Sequence, residues 1–131
     1  MDTQNRPSGT VMVVEDNDFV RMQLMKFLSE AGYSVVEARS GEQALSLFGK
    51  HVTVLVADVR MEPMNGFELI KRLKVEGDKT PVVLVTGDQD PEMLSEATRL
   101  GVLGVLMKPV QKARLLEMVT RAIATVQRTQ K

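Results

Sequence analysis

Four places in the chain combine side chains that could handle a charged ligand. Asp58 ends the apolar run from Val52 to Ala57, and Glu15 and Asp16 stand side by side after Val11 to Val14. Thr86 follows Val82 to Val85, and Lys108 follows Val102 to Met107. Asp58 is a candidate nucleophile or metal ligand. Two or three carboxylates drawn into one crevice repel each other unless a cation joins them. With oxygen ligands only, the cation of choice is magnesium, which takes a few carboxylates, some water and a phosphate oxygen. Lys108 adds a mobile positive charge for a phosphoryl oxygen, and Thr86 adds a hydroxyl donor. Together they suit phosphoryl transfer to a carboxylate, which needs a nucleophile, a metal to cancel charge, and donors for the equatorial oxygens. Singly, each has an ordinary reading as a solvated loop residue, a turn or helix cap, or a surface lysine. The chemical reading rests on all four closing apolar strands, where open α/β sheets place their ligands.

For these groups to meet, the strands must be parallel neighbours. Short apolar runs bounded by polar residues suit strands buried on both faces of a parallel sheet. Between them lie helical patterns. Val20, Leu24, Phe27, Leu28 and Ala31 share a face and stop at Gly32, before a second strand from Tyr33 to Ala38. Ser40 and Gln43 form a capping-box pattern opening a helix that packs through Ala44, Leu45 and Phe48 and stops at Gly49. After the Asp58 strand, a loop from Val59 to Met64 contains Pro63. Asn65 and Glu68 form a second capping box, and the helix packs through Phe67, Ile70 and Leu73 up to Gly77. Pro81 leads into Val82 to Val85, closed by Thr86-Gly87. Asp90-Pro91 opens a helix with Met93, Leu94, Ala97 and Leu100 that stops at Gly101. The Val102–Met107 strand follows. The last helix has one stripe, Leu115, Leu116, Val119, Ala122, Ile123 and Val126. Strand-helix alternation five times over predicts an α/β fold with a parallel sheet, right-handed crossovers and helices on both faces.

A length of 131 residues predicts one domain with a real core. Zero formal net charge gives no electrostatic case for nucleic acid or an anionic membrane as main partner. The absence of cysteine excludes disulfides and thiolate metal sites, and a lone histidine, His51, excludes a multi-histidine site within one chain. The polar start lacks the apolar core of a signal peptide, and no run reaches membrane-spanning length, so the cytoplasm is the expected compartment.

The ordered set of motifs resembles the receiver domain of bacterial two-component response regulators, the CheY-like family. The likeness covers nearly everything from Val11 to Val126. It rests on Val-Val-Glu15-Asp16-Asn, Val-Ala-Asp58-Val-Arg-Met, Met64-Asn65-Gly66-Phe67-Glu68-Leu69, Val-Thr86-Gly87 and Leu-Met-Lys108-Pro109. It implies a five-stranded parallel sheet, a flavodoxin-like (βα)5 sandwich with strand order 2-1-3-4-5. The expected boundaries are a flexible tail over 1–9, the receiver over 10–127 and a C-terminal tail over 128–131. By position, Asp58 is the implied phosphoacceptor. Glu15, Asp16 and Asp58 would hold magnesium with the backbone carbonyl of Arg60, and Thr86 and Lys108 would contact the phosphoryl group. The bond before Pro109 would be cis. The phosphodonor would be a sensor histidine kinase or histidine phosphotransfer protein. Output would pass to a downstream protein or to a homodimer through helix 4, strand 5 and helix 5, with no direct nucleic-acid or membrane contact. The chain would catalyse its own phosphorylation and dephosphorylation, with no separate substrate to turn over.

Two positions depart from the family pattern. An aromatic residue commonly stands three places before the lysine. Val105 stands there instead, and a short, stiff valine cannot swing a ring, so the output is expected to be atypical. Met61-Glu62-Pro63 puts the loop proline one place later than usual, while the spacing from Asp58 to Gly66 is kept. Arg60 and Asp88, two places after Asp58 and Thr86, are expected to pair across the mouth of the site and hinder water. A receiver-like interaction module that is not phosphorylated remains the alternative. An aspartyl-phosphate hydrolase is disfavoured because Arg60 stands where such enzymes use a second aspartate. A flavin or nucleotide carrier is disfavoured because no glycine-rich phosphate loop follows the first strand.

Overall fold

The computed structural model describes residues 9–88 and 90–129. Ten elements alternate along them: β1 (Thr10–Val14), α1 (Asp18–Glu30), β2 (Ser34–Ala38), α2 (Gly41–Leu47), β3 (Val54–Asp58), α3 (Gly66–Val75), β4 (Val82–Thr86), α4 (Pro91–Arg99), β5 (Gly104–Met107) and α5 (Lys112–Thr129). The strands form one parallel sheet in the order β2-β1-β3-β4-β5, the order implied by the resemblance.

Side chains alternate across each strand, so the sheet divides the core in two. Met12, Val14, Leu55, Ala57 and Leu84 point to the side holding Ala44, Leu69, Ile70, Met93 and Ala97. Val11, Val13, Val54, Val56, Val83 and Val85 point to the side holding Leu24, Leu28, Leu115, Val119, Ala122 and Ile123. Thus α2, α3 and α4 cover one face, and α1 and α5 the other. Every residue of β3 and β4 is buried, which accounts for their unbroken apolar runs.

Several boundaries differ from the sequence expectation, for identifiable reasons. Three helices end in a Schellman motif. Gly32, Gly77 and Gly101 take positive φ, and Tyr33, Asp78 and Val102 donate their amides back to Leu28, Leu73 and Ala97. Tyr33 and Val102 therefore belong to helix ends, so β2 begins at Ser34 and β5 at Gly104. The Val52 amide bonds to the Gly49 carbonyl in a turn, and β3 begins at Val54. Thr86 is the last residue of β4. Helix α2 stops at Leu47, capped by Phe48 in extended conformation, one residue before the expected glycine. Ser40 caps α2 by accepting from the Gln43 amide, but the Gln43 side chain accepts from Arg39, so the reciprocal half of the box is displaced by one residue. Leu94 faces solvent, not the core. Gly9 already accepts a bond from the Ser34 amide and so belongs to the fold, and α5 continues through Thr129, past the boundary expected at 127. Residues 1–8, the rest of the expected N-terminal tail, and 130–131 lie outside the described residues.

Candidate functional site

The ladder register brings the strand ends together. Val14 pairs with Ala57, so Glu15 comes level with Asp58. Asp58 pairs with Val85, and Thr86 with Met107, so Thr86 and Lys108 follow on the next rungs. The sheet thus collects Glu15, Asp16, Asp58, Thr86 and Lys108 at one rim. Glu15, Asp58 and Thr86 are buried, while Asp16 is exposed.

Lys108 Nζ lies 3.1 Å from Glu15 Oε1 and 3.3 Å from Asp58 Oδ1, an ion pair with each. Asp58 Oδ1 also accepts from the Arg60 amide at 3.3 Å. Glu15 Oε2 accepts from the Asn17 amide at 3.1 Å. Glu15 Oε1 is fully buried and, although near Lys108, is out of line for a hydrogen bond with it. Thr86 Oγ1 accepts from the Asp88 amide at 3.1 Å, which leaves its hydroxyl proton to donate elsewhere. The Thr86 carbonyl accepts from the Lys108 amide at 2.8 Å. Arg60 and Asp88 form an ion pair beside these groups, with both side chains substantially exposed. The Lys108–Pro109 and Glu62–Pro63 bonds are both cis; the second has no counterpart among the sequence expectations.

Burial pushes the Glu15 carboxyl up to about 7, and the Asp58 charge adds to the shift. The Asn17 amide and Lys108 oppose it but do not outweigh it. Burial pulls the Lys108 ammonium down, but Glu15 and Asp58 together overcome this and hold it above the ordinary lysine value. One ammonium thus serves two buried carboxylates, with Asp16 beside them. Oxygens of Glu15, Asp16 and Asp58 lie within 4.8 Å of one another. A buried carboxylate oxygen without a hydrogen bond, in an all-oxygen donor set, fits a hard divalent cation such as magnesium.

The loops hold these groups through local contacts. Asn17 caps α1 by accepting from Val20. Asn65 and Glu68 make the full reciprocal box at the start of α3. Gly66 sits where a Cβ would lie 2.5 Å from the Asp58 carbonyl oxygen, so only glycine lets α3 begin against the end of β3. The sequence reading missed Arg21, which is buried on α1 and donates to the Glu15 carbonyl. Its signal was present: Arg21 shares the three- and four-residue spacing of Leu24 and Leu28, the helix's other buried residues.

The model of the response regulator receiver domain family matches residues 11–120. The regulator of RpoS from Escherichia coli (strain K12) is 35% identical over 119 residues, covering 89% of this chain and 35% of that protein. The transcriptional regulatory protein FixJ from Bradyrhizobium diazoefficiens is 34% identical over 116 residues, covering 88% of this chain and 57% of that protein. This chain therefore spans about a third of the first of these relatives and somewhat over half of the second. Among solved structures, the chemotaxis protein CheY4 of Vibrio cholerae superposes with a TM-score of 0.82 at 31% identity, covering 88% of this chain and 98% of that one. A receiver protein from Pseudomonas putida gives 0.80 at 31%, covering 87% and 97%. The family match runs from Val11 to Thr120 through every strand that builds the acidic rim, and the chain belongs to the response regulator receiver family of two-component signalling.

Proposed function

We propose that this receiver accepts a phosphoryl group from a phosphohistidine donor onto Asp58. Phosphoacceptor chemistry and magnesium dependence are general in the family. The observation behind the assignment is the position of Asp58, a buried strand-end carboxylate whose Oδ1 is engaged by Lys108 and Arg60. Its Oδ2 has no hydrogen-bond partner among the described residues and is the oxygen free to attack phosphorus. In that step an O–P bond forms, the donor's N–P bond breaks, and the electron pair leaves with the imidazole nitrogen. Lys108 stabilises charge on a phosphoryl oxygen, and Thr86 turns its free hydroxyl proton toward another. Glu15, Asp16 and Asp58 would hold the magnesium ion, with the Arg60 carbonyl as a further ligand. When bound, the ion supplies charge cancellation. Hydrolysis returns the carboxylate and inorganic phosphate, so the chain resets itself and acts as a switch.

The output is read differently here. Val105 is half-buried in β5 and lines a surface recess of roughly 340 Å3 together with Leu106, Met107, Lys108, Pro109, Gln111 and Arg114. No ring at position 105 can report the state of Thr86 to this face, so signalling uses backbone displacement or another surface. The same valine favours the second reading, a receiver-like module that works without phosphorylation.

Intact mass after incubation with acetyl phosphate and magnesium, followed by a phosphohistidine donor, decides between them. The expected result is one added phosphoryl group, absent in Asp58→Asn and without metal. No uptake from either donor makes the chain a binding module.

A further inference from the structure

Arg21 is 3% exposed, buried with Leu24 and Leu28 on the inner face of α1. A buried guanidinium is costly unless its donors are paired. Nη2 reaches Asp18 Oδ1 at 2.6 Å, and Nε reaches Glu37 Oε1 on β2 at 2.9 Å. Those two carboxylates are enough to balance the charge. The third bond has a different target: Nη1 donates to the backbone carbonyl of Glu15 at 2.9 Å.

That carbonyl belongs to the peptide joining the two acidic residues. A peptide group is planar, so fixing its oxygen fixes the plane up to the Cα of Asp16. The other side of Glu15 is already held, because its amide bonds to the Ala38 carbonyl. Asp16 itself is exposed, and its side chain has no hydrogen-bond or ion-pair partner among the described residues. Its direction therefore depends on the backbone beneath it. Arg21 also ties this backbone to Glu37, so the end of β1, the end of β2 and the first turn of α1 form one braced unit.

We infer that Arg21 is a positioning residue for Asp16, holding the Glu15–Asp16 peptide so that the Asp16 carboxylate stays within reach of Glu15 and Asp58. This inference rests on reading those three carboxylates as a metal site. It assigns the buried arginine a task beyond stability: it sets the affinity of the site for a divalent cation. Groups that orient a metal ligand typically change affinity by about 10–100-fold when removed.

The test uses manganese as the probe, with free ion followed by electron paramagnetic resonance, on the full chain. Arg21→Met is expected to weaken manganese binding about tenfold. Arg21→Lys keeps the charge but loses the fork that reaches three partners, and is expected to weaken binding at least about threefold; it decides the matter if Arg21→Met does not fold. Val119→Ala, a core truncation in α5, controls for general loosening and is expected to leave affinity unchanged. A double-mutant cycle then identifies the route. In an Asp16→Asn background, Arg21→Lys is expected to cost nothing further. If wild type binds manganese and both Arg21 variants bind within about twofold of it, or if the cycle is additive, the inference fails while the metal site stands. If wild type does not bind manganese, the metal-site reading falls and this inference falls with it.

Discussion

At the scale of single residues, the site is defined by too little positive charge. Among the described residues Lys108 alone pairs with Glu15 and Asp58, and the Glu15 carboxyl is raised to about 7 against 4.5 for an ordinary glutamate. Between those values the folded chain binds a proton that the unfolded chain has lost, so raising the pH favours unfolding. Metal-free stability is therefore expected to fall from about pH 4.5 to about pH 7. Urea midpoints across that range should slope downward, and both Glu15→Gln and saturating magnesium should flatten them. A flat profile for the metal-free wild type would remove the case for a strained Glu15. The Arg60–Asp88 pair makes a separate expectation. Being exposed, it adds under about 1 kcal/mol to stability. If it screens the phosphoryl group from water, Arg60→Ala and Asp88→Ala should each speed autodephosphorylation by about twofold or more, equivalent to a barrier lowered by roughly 0.4 kcal/mol. Unchanged decay of the phosphorylated species would rule the screen out.

At the scale of elements, what matters is how each loop meets its strand. Gly66 touches the backbone of Asp58 where no side chain fits, and its neighbour Asn65 closes a reciprocal cap with Glu68. Gly66→Ala must push α3 off the end of β3, at a cost of about 1–3 kcal/mol, and should impair phosphoryl uptake as well. Asn65→Ala loses only the cap, about 1 kcal/mol, and should leave uptake nearly intact. Thermal melts paired with the mass assay separate the two effects; equal losses of uptake would contradict the close-contact argument. This cap was legible in the sequence because both partners lie within one turn. The Ser40–Gln43 box was legible only in half, since residue types do not say that Gln43 reaches back to Arg39. The starts of β2 and β5 were misplaced because Tyr33 and Val102 are apolar, yet their amides serve helix ends. Apolarity reports burial, whereas a strand boundary depends on where the amide bonds.

At the scale of the whole molecule, the sheet separates two cores that share little but its backbone. Leu84 faces α3 and α4, and Leu115 lies on the α1–α5 side; both are fully buried. Each truncated to alanine should cost about 2–5 kcal/mol, and the double variant should cost their sum within about 0.5 kcal/mol. Denaturant unfolding of the three variants checks this, and marked non-additivity would mean the layers are coupled through the sheet. The layered architecture was readable because alternation and helical stripes are local patterns repeated along the chain. Arg21 escaped because it fits the stripe by position and breaks it by chemistry. A buried cation makes sense only when Glu37, sixteen residues away, is brought beside it.

The three Schellman ends set the two rims of the sheet apart. At the rim opposite the acidic site, Gly32, Gly77 and Gly101 anchor three of the four helix-to-strand returns with paired backbone bonds. At the site rim, the strand-to-helix loops add side-chain bonds to their backbone ones, from Asn17, Arg21, Asn65 and the Arg60–Asp88 pair. Such a body is built like a comb clamped along its spine, with its charged groups at the tips. A change of charge at the tips can be felt by neighbouring tips while the clamped edge and the core beneath it stay in register.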